Sequence, residues 1–283
     1  MPWQIRFSFY GPRVKSRFWR LDLNAQINPV GAYLREWRQR RRLSQLDFAL
    51  QAEISQRHLS FMESGRATPS RDMLLRLAEH LDVPLRERNT WLLAAGYAPM
   101  FEERRLDNPA LHEARRAIDT LLKSTEPFPA LVVDRGWNMV TANSAVAPLM
   151  SLVTEKALLQ PPVNVMRLTL HPGGLAPRVV NLSEWRRHML DRLHRQITLT
   201  HDRGLLPLLE ELRAYSGAES DARPGADGHE SIFVPFQLRT ESGVLSFFST
   251  TTVFGTAVDI TLSELTLESF FPADPETAAA LRR

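Results

Sequence analysis

The chain has 283 residues, 43% of them hydrophobic, with a net charge of +3 and no cysteine. That length exceeds one ordinary domain and supplies apolar surface for two cores, while the lack of cysteine removes disulfide frameworks, zinc fingers, cysteine nucleophiles and thiol redox sensing. No run approaches the roughly 18 apolar residues that span a bilayer, and the first residues lack a secretory apolar core, so the expectation is a cytoplasmic protein.

Residues 1–27 mix Trp3, Phe7 and Trp19 with Arg6, Arg13, Lys15, Arg17 and Arg20, and without a sustained period they read as a basic, disordered extension. Val30, Tyr33, Leu34 and Trp37 then fall at i, i+3, i+4 and i+7, one apolar helical stripe that ends in Arg40, Arg41 and Arg42. Ser44 opens a second helix as N-cap, with Asp47 placed to close a capping box. Ser55 opens a third, which runs to Glu63 before Ser64 and Gly65 end it. A fourth starts at Pro69-Ser70 and a fifth at Asp82-Val83-Pro84. Residues 28–98 therefore make a compact all-α domain of five helices.

Residues 99–109 read as a linker, followed by an amphipathic helix with Ile118, Leu121 and Leu122. From residue 110 the character changes. Residues 130–133 and 137–141 form a β-hairpin around Asp134-Arg135-Gly136, and Asn143 is placed to cap a short helix. A strand is expected over 178–182, a helix capped by Ser183, and another helix over 205–215. Pro, Gly and Asp over 217–229 mark a mobile loop. Residues 231–239 and 244–252 make a second hairpin, and a further strand is expected over 256–262. The whole is an α+β domain on an antiparallel sheet, residues 110–277, with 278–283 as a tail.

A major groove admits one helix, which must be held rigidly and must present polar side chains at its exposed start. Residues 44–69 have this form, and Gln45, Ala49, Ile54, Ser55, Leu59, Glu63, Gly65 and Pro69 resemble the pattern of the XRE (phage-repressor-like) helix-turn-helix family. The resemblance implies that Gln56, Arg57 and Ser60 reach base edges from a helix headed by Ser55. It implies that Gln45 and Arg66 hold phosphates, and that Phe61 meets a thymine methyl or simply packs. One position departs: the family's turn commonly has glycine where this chain has Glu53, and that position often needs a positive φ.

Residues 127–134, 164–174, 181–185 and 269–274 resemble the MmyB-like ligand-binding domain, with a PAS-like sheet whose flanking helices enclose a cavity. For that family the implied effector is a fatty-acid-like molecule, which needs an apolar tunnel and a polar end. Tunnel candidates are Trp137, Met139, Met166, Leu168, Trp185, Met189, Phe247 and Phe270. Candidates for the polar end are Asn143, Arg167, His171 and Arg178. No enzyme motif is present: the chain has no Gly-x-Ser-x-Gly elbow, Walker loop or His-Glu-x-x-His, and no metal site or cofactor is expected. The expected function is a homodimeric, ligand-controlled regulator that binds double-stranded DNA. The alternative is a protein-interaction module whose second domain only dimerises.

Overall fold

A computed structural model describes residues 30–215, 233–241 and 243–282 of the chain. The basic extension and the 217–229 loop read from the sequence lie outside these. The chain divides into two compact units, Met1–Met100 and Phe101–Arg283.

In the first unit the local signals settle the helices: α1 (Val30–Arg40), α2 (Gln45–Gln51), α3 (Gln56–Glu63), α4 (Arg71–His80) and α5 (Leu85–Ala94). Ser44, Ser55 and Ser70 each accept a backbone N–H from the first turn of the helix they precede, and Ser44 and Asp47 close the capping box. These caps satisfy donors that the helices cannot satisfy themselves. One core forms from Leu34 and Trp37 of α1, Phe48 of α2, Leu59 and Met62 of α3, and Leu74, Leu77, Trp91 and Leu92 beyond. Two features fix how α2 and α3 are held. The turn between them passes through Glu53 at φ +54°, the left-handed conformation that a side chain with a Cβ resists. At Gly31, α1 runs so close to the end of α3 that a Cβ would stand 2.2 Å from the Met62 carbonyl oxygen.

The second unit contains α6 (His112–Ser124), β1 (Ala130–Val133), β2 (Met139–Ala142), α7 (Ala147–Ser151), α8 (Val165–Leu170), α9 (Leu182–Thr200), α10 (Leu206–Ala214), β3 (Phe236–Thr240), β4 (Gly243–Val253), α11 (Ile260–Ser263), β5 (Thr266–Pro272) and α12 (Pro275–Leu281). The five strands make one antiparallel sheet in the order β2-β1-β5-β4-β3. Strand alternation sends residues to two cores. Ala130, Val132 and Leu267 pack with Ile118 and Leu122 of α6, while Val133, Phe236 and Phe247 pack with α8, α9 and α10 on the other face.

Several expectations for this unit are corrected. Residues 256–262 form no strand; Asp259 accepts the N–H groups of Thr261 and Leu262 and starts α11 instead. The strand next to β1 is β5. Over 178–182 only an isolated bridge, Val179 to Leu238, is made before α9 begins, and Asn181, not Ser183, stands at its N-cap position. Asn143 caps nothing with its side chain, because Oδ1 accepts from Ala130 N–H and Nδ2 donates to the Leu122 and Phe128 carbonyls. Part of the expected linker is bound to this unit: the Glu102 carbonyl accepts the Ile260 N–H at 2.9 Å, and Arg104 pairs with Asp259 at 3.1 Å. The expected tail belongs largely to α12, whose Leu281 packs on the main core.

Two substitutions test this account by chemical denaturation. Glu53→Gly relieves the left-handed residue and should stabilise the first unit by up to about 1 kcal/mol. Gly31→Ala should destabilise it by about 2 kcal/mol, because the added carbon meets backbone that is fixed at both helices.

Candidate functional site

The first candidate surface is the exposed side of α3. Leu59, Met62 and Glu63 face inward, whereas Gln56, Arg57 and His58 are exposed and Ser60 and Phe61 half-buried. The Ser55 hydroxyl is occupied by the cap, accepting the His58 N–H at 3.1 Å. The guanidinium groups of Arg57 and Arg66 lie over the Phe61 ring, 5.3 and 5.8 Å from its centroid, so two cations are gathered on an aromatic platform.

Behind that surface sits a buried ion pair. Arg38 of α1 donates to both carboxylate oxygens of Glu63 at 2.6 and 2.9 Å, and to the Leu43 carbonyl at 2.7 Å. Gln45, expected at a phosphate, spends its amide on the same carboxylate at 2.8 Å. Burial pushes the Glu63 carboxyl upward, but hydrogen bonds from Arg38 and Gln45, with the charges of Arg38 and Arg35, hold it below its ordinary value. One carboxylate thereby joins the starts of α2 and the end of α3 to α1.

The second candidate site is a cavity of about 750 Å³, its mouth toward solvent included, between the sheet and the helices of the second unit. Its wall is almost wholly apolar. Of the sequence-derived candidates, Trp137, Leu168, Trp185, Met189, Phe247 and Phe270 line it. Met139 and Met166 belong to the adjoining core and are not part of the wall.

None of the four residues expected at the polar end lies in the wall. Arg167 makes a two-pronged ion pair with Glu211 at 2.8 and 2.7 Å, and Tyr215 donates to the same carboxylate. His171 accepts the Gly173 N–H at Nδ1 and stands edge-on to the Tyr215 ring. Its Pro172-Gly173-Gly174 segment is a packing device, since a Cβ at Gly174 would lie 2.3 Å from the Leu168 carbonyl oxygen. Asn143 ties β1 to α6 as described, and Arg178 lies at the end of a short turn.

The charged groups that the wall does hold are Arg192 of α9 and Glu268 of β5. Arg192 Nη1 donates to Glu268 Oε2 at 3.0 Å, Nη2 donates to Glu268 Oε1 and to Thr251 Oγ1, the latter at 2.9 Å, and the guanidinium covers the Trp137 ring at 4.8 Å. Trp137 itself adopts φ +65°, costly for a bulky residue, and its indole N–H donates to Gln196 at 2.7 Å. A sequence signal for Arg192 did exist: Trp185, Met189, Arg192 and Gln196 recur at i, i+4, i+7 and i+11, one face of α9. No helix among the described residues is long and apolar enough to cross a membrane.

A family model for the helix-turn-helix matches residues 34–88, the stretch from α1 into α5. A second, described as the MmyB-like transcription regulator ligand binding domain, matches residues 114–283 and so contains the whole cavity. No curated protein matches the chain. Since that second match covers more than half of its length, the chain belongs to the family of transcription regulators that carry an MmyB-like ligand-binding domain.

Proposed function

We propose that the protein is a DNA-binding regulator whose affinity for its operator is set by an elongated, fatty-acid-like ligand held in the cavity of the second unit. The observation that carries this reading is the apolar cavity itself, enclosed inside the domain that follows an exposed recognition helix. Apolar walls favour an acyl chain over a polar metabolite, because each buried methylene contributes about 0.8 kcal/mol. In this reading the cavity binds its ligand and does not turn it over.

At the DNA, Gln56, Arg57 and Ser60 read base edges, and Arg57 paired with a guanine is the strongest single contact. Arg66 holds a phosphate and positions α3 without reading sequence. Ser55 and Gln45 act indirectly, the first by capping α3 and the second by bracing Glu63. We propose a homodimer, which places two copies of α3 in successive major grooves about 34 Å apart. A ligand then regulates only to the extent that it prefers one arrangement of the dimer over the other.

Two measurements test the reading. On a duplex selected from a random pool by the intact protein, Arg57→Ala should weaken specific binding about 10- to 100-fold with little change on unrelated DNA. Arg66→Ala should weaken both and lower the salt dependence by about one phosphate contact. A protein that selects no duplex fails the first half of the proposal. For the second half, native mass spectrometry of the purified chain should reveal a stoichiometric bound small molecule, identified after denaturing extraction. A ligand-free mass, with no thermal shift from added acyl-chain compounds, would sink the sensor reading and leave DNA binding intact.

A further inference from the structure

Given that the cavity holds an acyl-chain ligand, its wall fixes the charge that the ligand carries. We infer that the cavity takes an uncharged amphiphile, an acyl chain ending in an alcohol or a primary amide, and discriminates against the free carboxylate.

Arg192 is the one cationic side chain among the described residues of the wall, and its charge is already matched. Both of its terminal nitrogens donate to Glu268, one of them also to Thr251, and its face is stacked on Trp137. The Glu268 side chain is 4% exposed, so no bulk water is there to stabilise it once Arg192 is drawn away. An incoming carboxylate must therefore either detach this pair or settle beside a second carboxylate in an apolar surrounding. Both are unfavourable, the first through an orphaned buried charge and the second through like-charge repulsion at low dielectric. The other cations that could have received an acid head lie elsewhere: Arg167 is committed to Glu211, and His171 and Arg178 are not in the wall.

What the wall offers instead is hydrogen-bonding capacity without net charge. Glu268 oxygens retain lone pairs for a donor, and the hydroxyl of Ser249, cross-strand from Phe270, lies on the same wall. An alcohol or amide supplies both a donor for Glu268 and an acceptor for the Ser249 O–H. A carboxylate supplies acceptors alone.

The test is calorimetric titration of the full-length protein at pH 8 with four probes of one chain length: dodecanoic acid, dodecanol, dodecanamide and methyl dodecanoate, each below its aggregation limit. The expected result is that the alcohol and the amide bind at least tenfold more tightly than the acid, and that the ester, uncharged but without a donor for Glu268, falls between them. In Glu268→Gln, which keeps the shape and removes the negative charge, the order should narrow by at least tenfold or invert, because Arg192 is then free to pair with the acid. An acid that binds the unaltered protein as tightly as the alcohol overturns the inference while leaving the cavity a ligand site. If Glu268→Gln folds with a native circular dichroism spectrum and keeps the same preference, the assignment of selectivity to Glu268 is overturned. Binding of none of the four removes the ligand reading itself, and this inference with it.

Discussion

A carboxylate taken out of water must be met by a cation within hydrogen-bonding distance, and each unit of this chain is arranged around one such obligation. In the first, Glu63 ends the recognition helix inside the protein, and Arg38 reaches it from α1 with Gln45 alongside. The ion pair adds little net stability over an apolar replacement, but breaking it by removing one partner leaves a buried charge uncompensated. Its contribution is therefore positional. Three helices share one carboxylate, so α3 cannot rotate or slide without disturbing α1 and α2, and the proposed role of α3 at base edges needs that fixity. The tight approach of Gly31 to Met62 acts in the same sense.

In the second unit the obligation falls on Glu268, which sits in an interior strand of the sheet and faces the cavity. Arg192 answers it from α9, fastening the long helix across the sheet, and the guanidinium in turn lies over Trp137. Trp137 pays for its place with a left-handed backbone, and strain of this kind persists only where the surroundings over-determine it. Here the surroundings are the Gln196 hydrogen bond and the Arg192 stack. Helix, sheet and hairpin thus meet at one wall of the cavity, where a ligand can touch all three.

The two units were unequally legible in the sequence, for physical reasons. Helix caps are local: Ser44, Ser55 and Ser70 declare helix starts within a few residues, and all three hold. The positive φ at Glu53 was implied by the glycine that the resembled family commonly has at that position. Strands are stabilised by partners far away in the chain, so β5 gave no clear period. Both of its faces are covered, and Glu268 interrupts what would otherwise read as an apolar run. The segment before it, 256–262, read as the strand instead, although there the Asp259 side chain caps α11. Asn143 was recognised as a structural asparagine but given a local duty, whereas its bonds run to Ala130, Leu122 and Phe128.

The apolar part of the cavity was readable because large aromatic and thioether side chains are rarely placed without a packing purpose. Its polar part was not, because a cation on an amphipathic helix looks the same whether it meets water or a buried carboxylate. Arg167, one of the four polar-end candidates, lies at the surface with Glu211 and Tyr215, and its partner's carboxyl is held below the ordinary range first by the Arg167 hydrogen bond. The difference between the two arginines is decided by tertiary partners alone: Glu211 comes from a neighbouring helix at the rim, Glu268 from the middle of the sheet. A neutralised cation in an apolar wall is a different recognition element from a free one. In the proposed reading it repels neither chain nor neutral head, it withholds from an acid the countercharge that an acid requires, and it makes the choice of ligand depend on Glu268, the partner that the periodicity of α9 could not reveal.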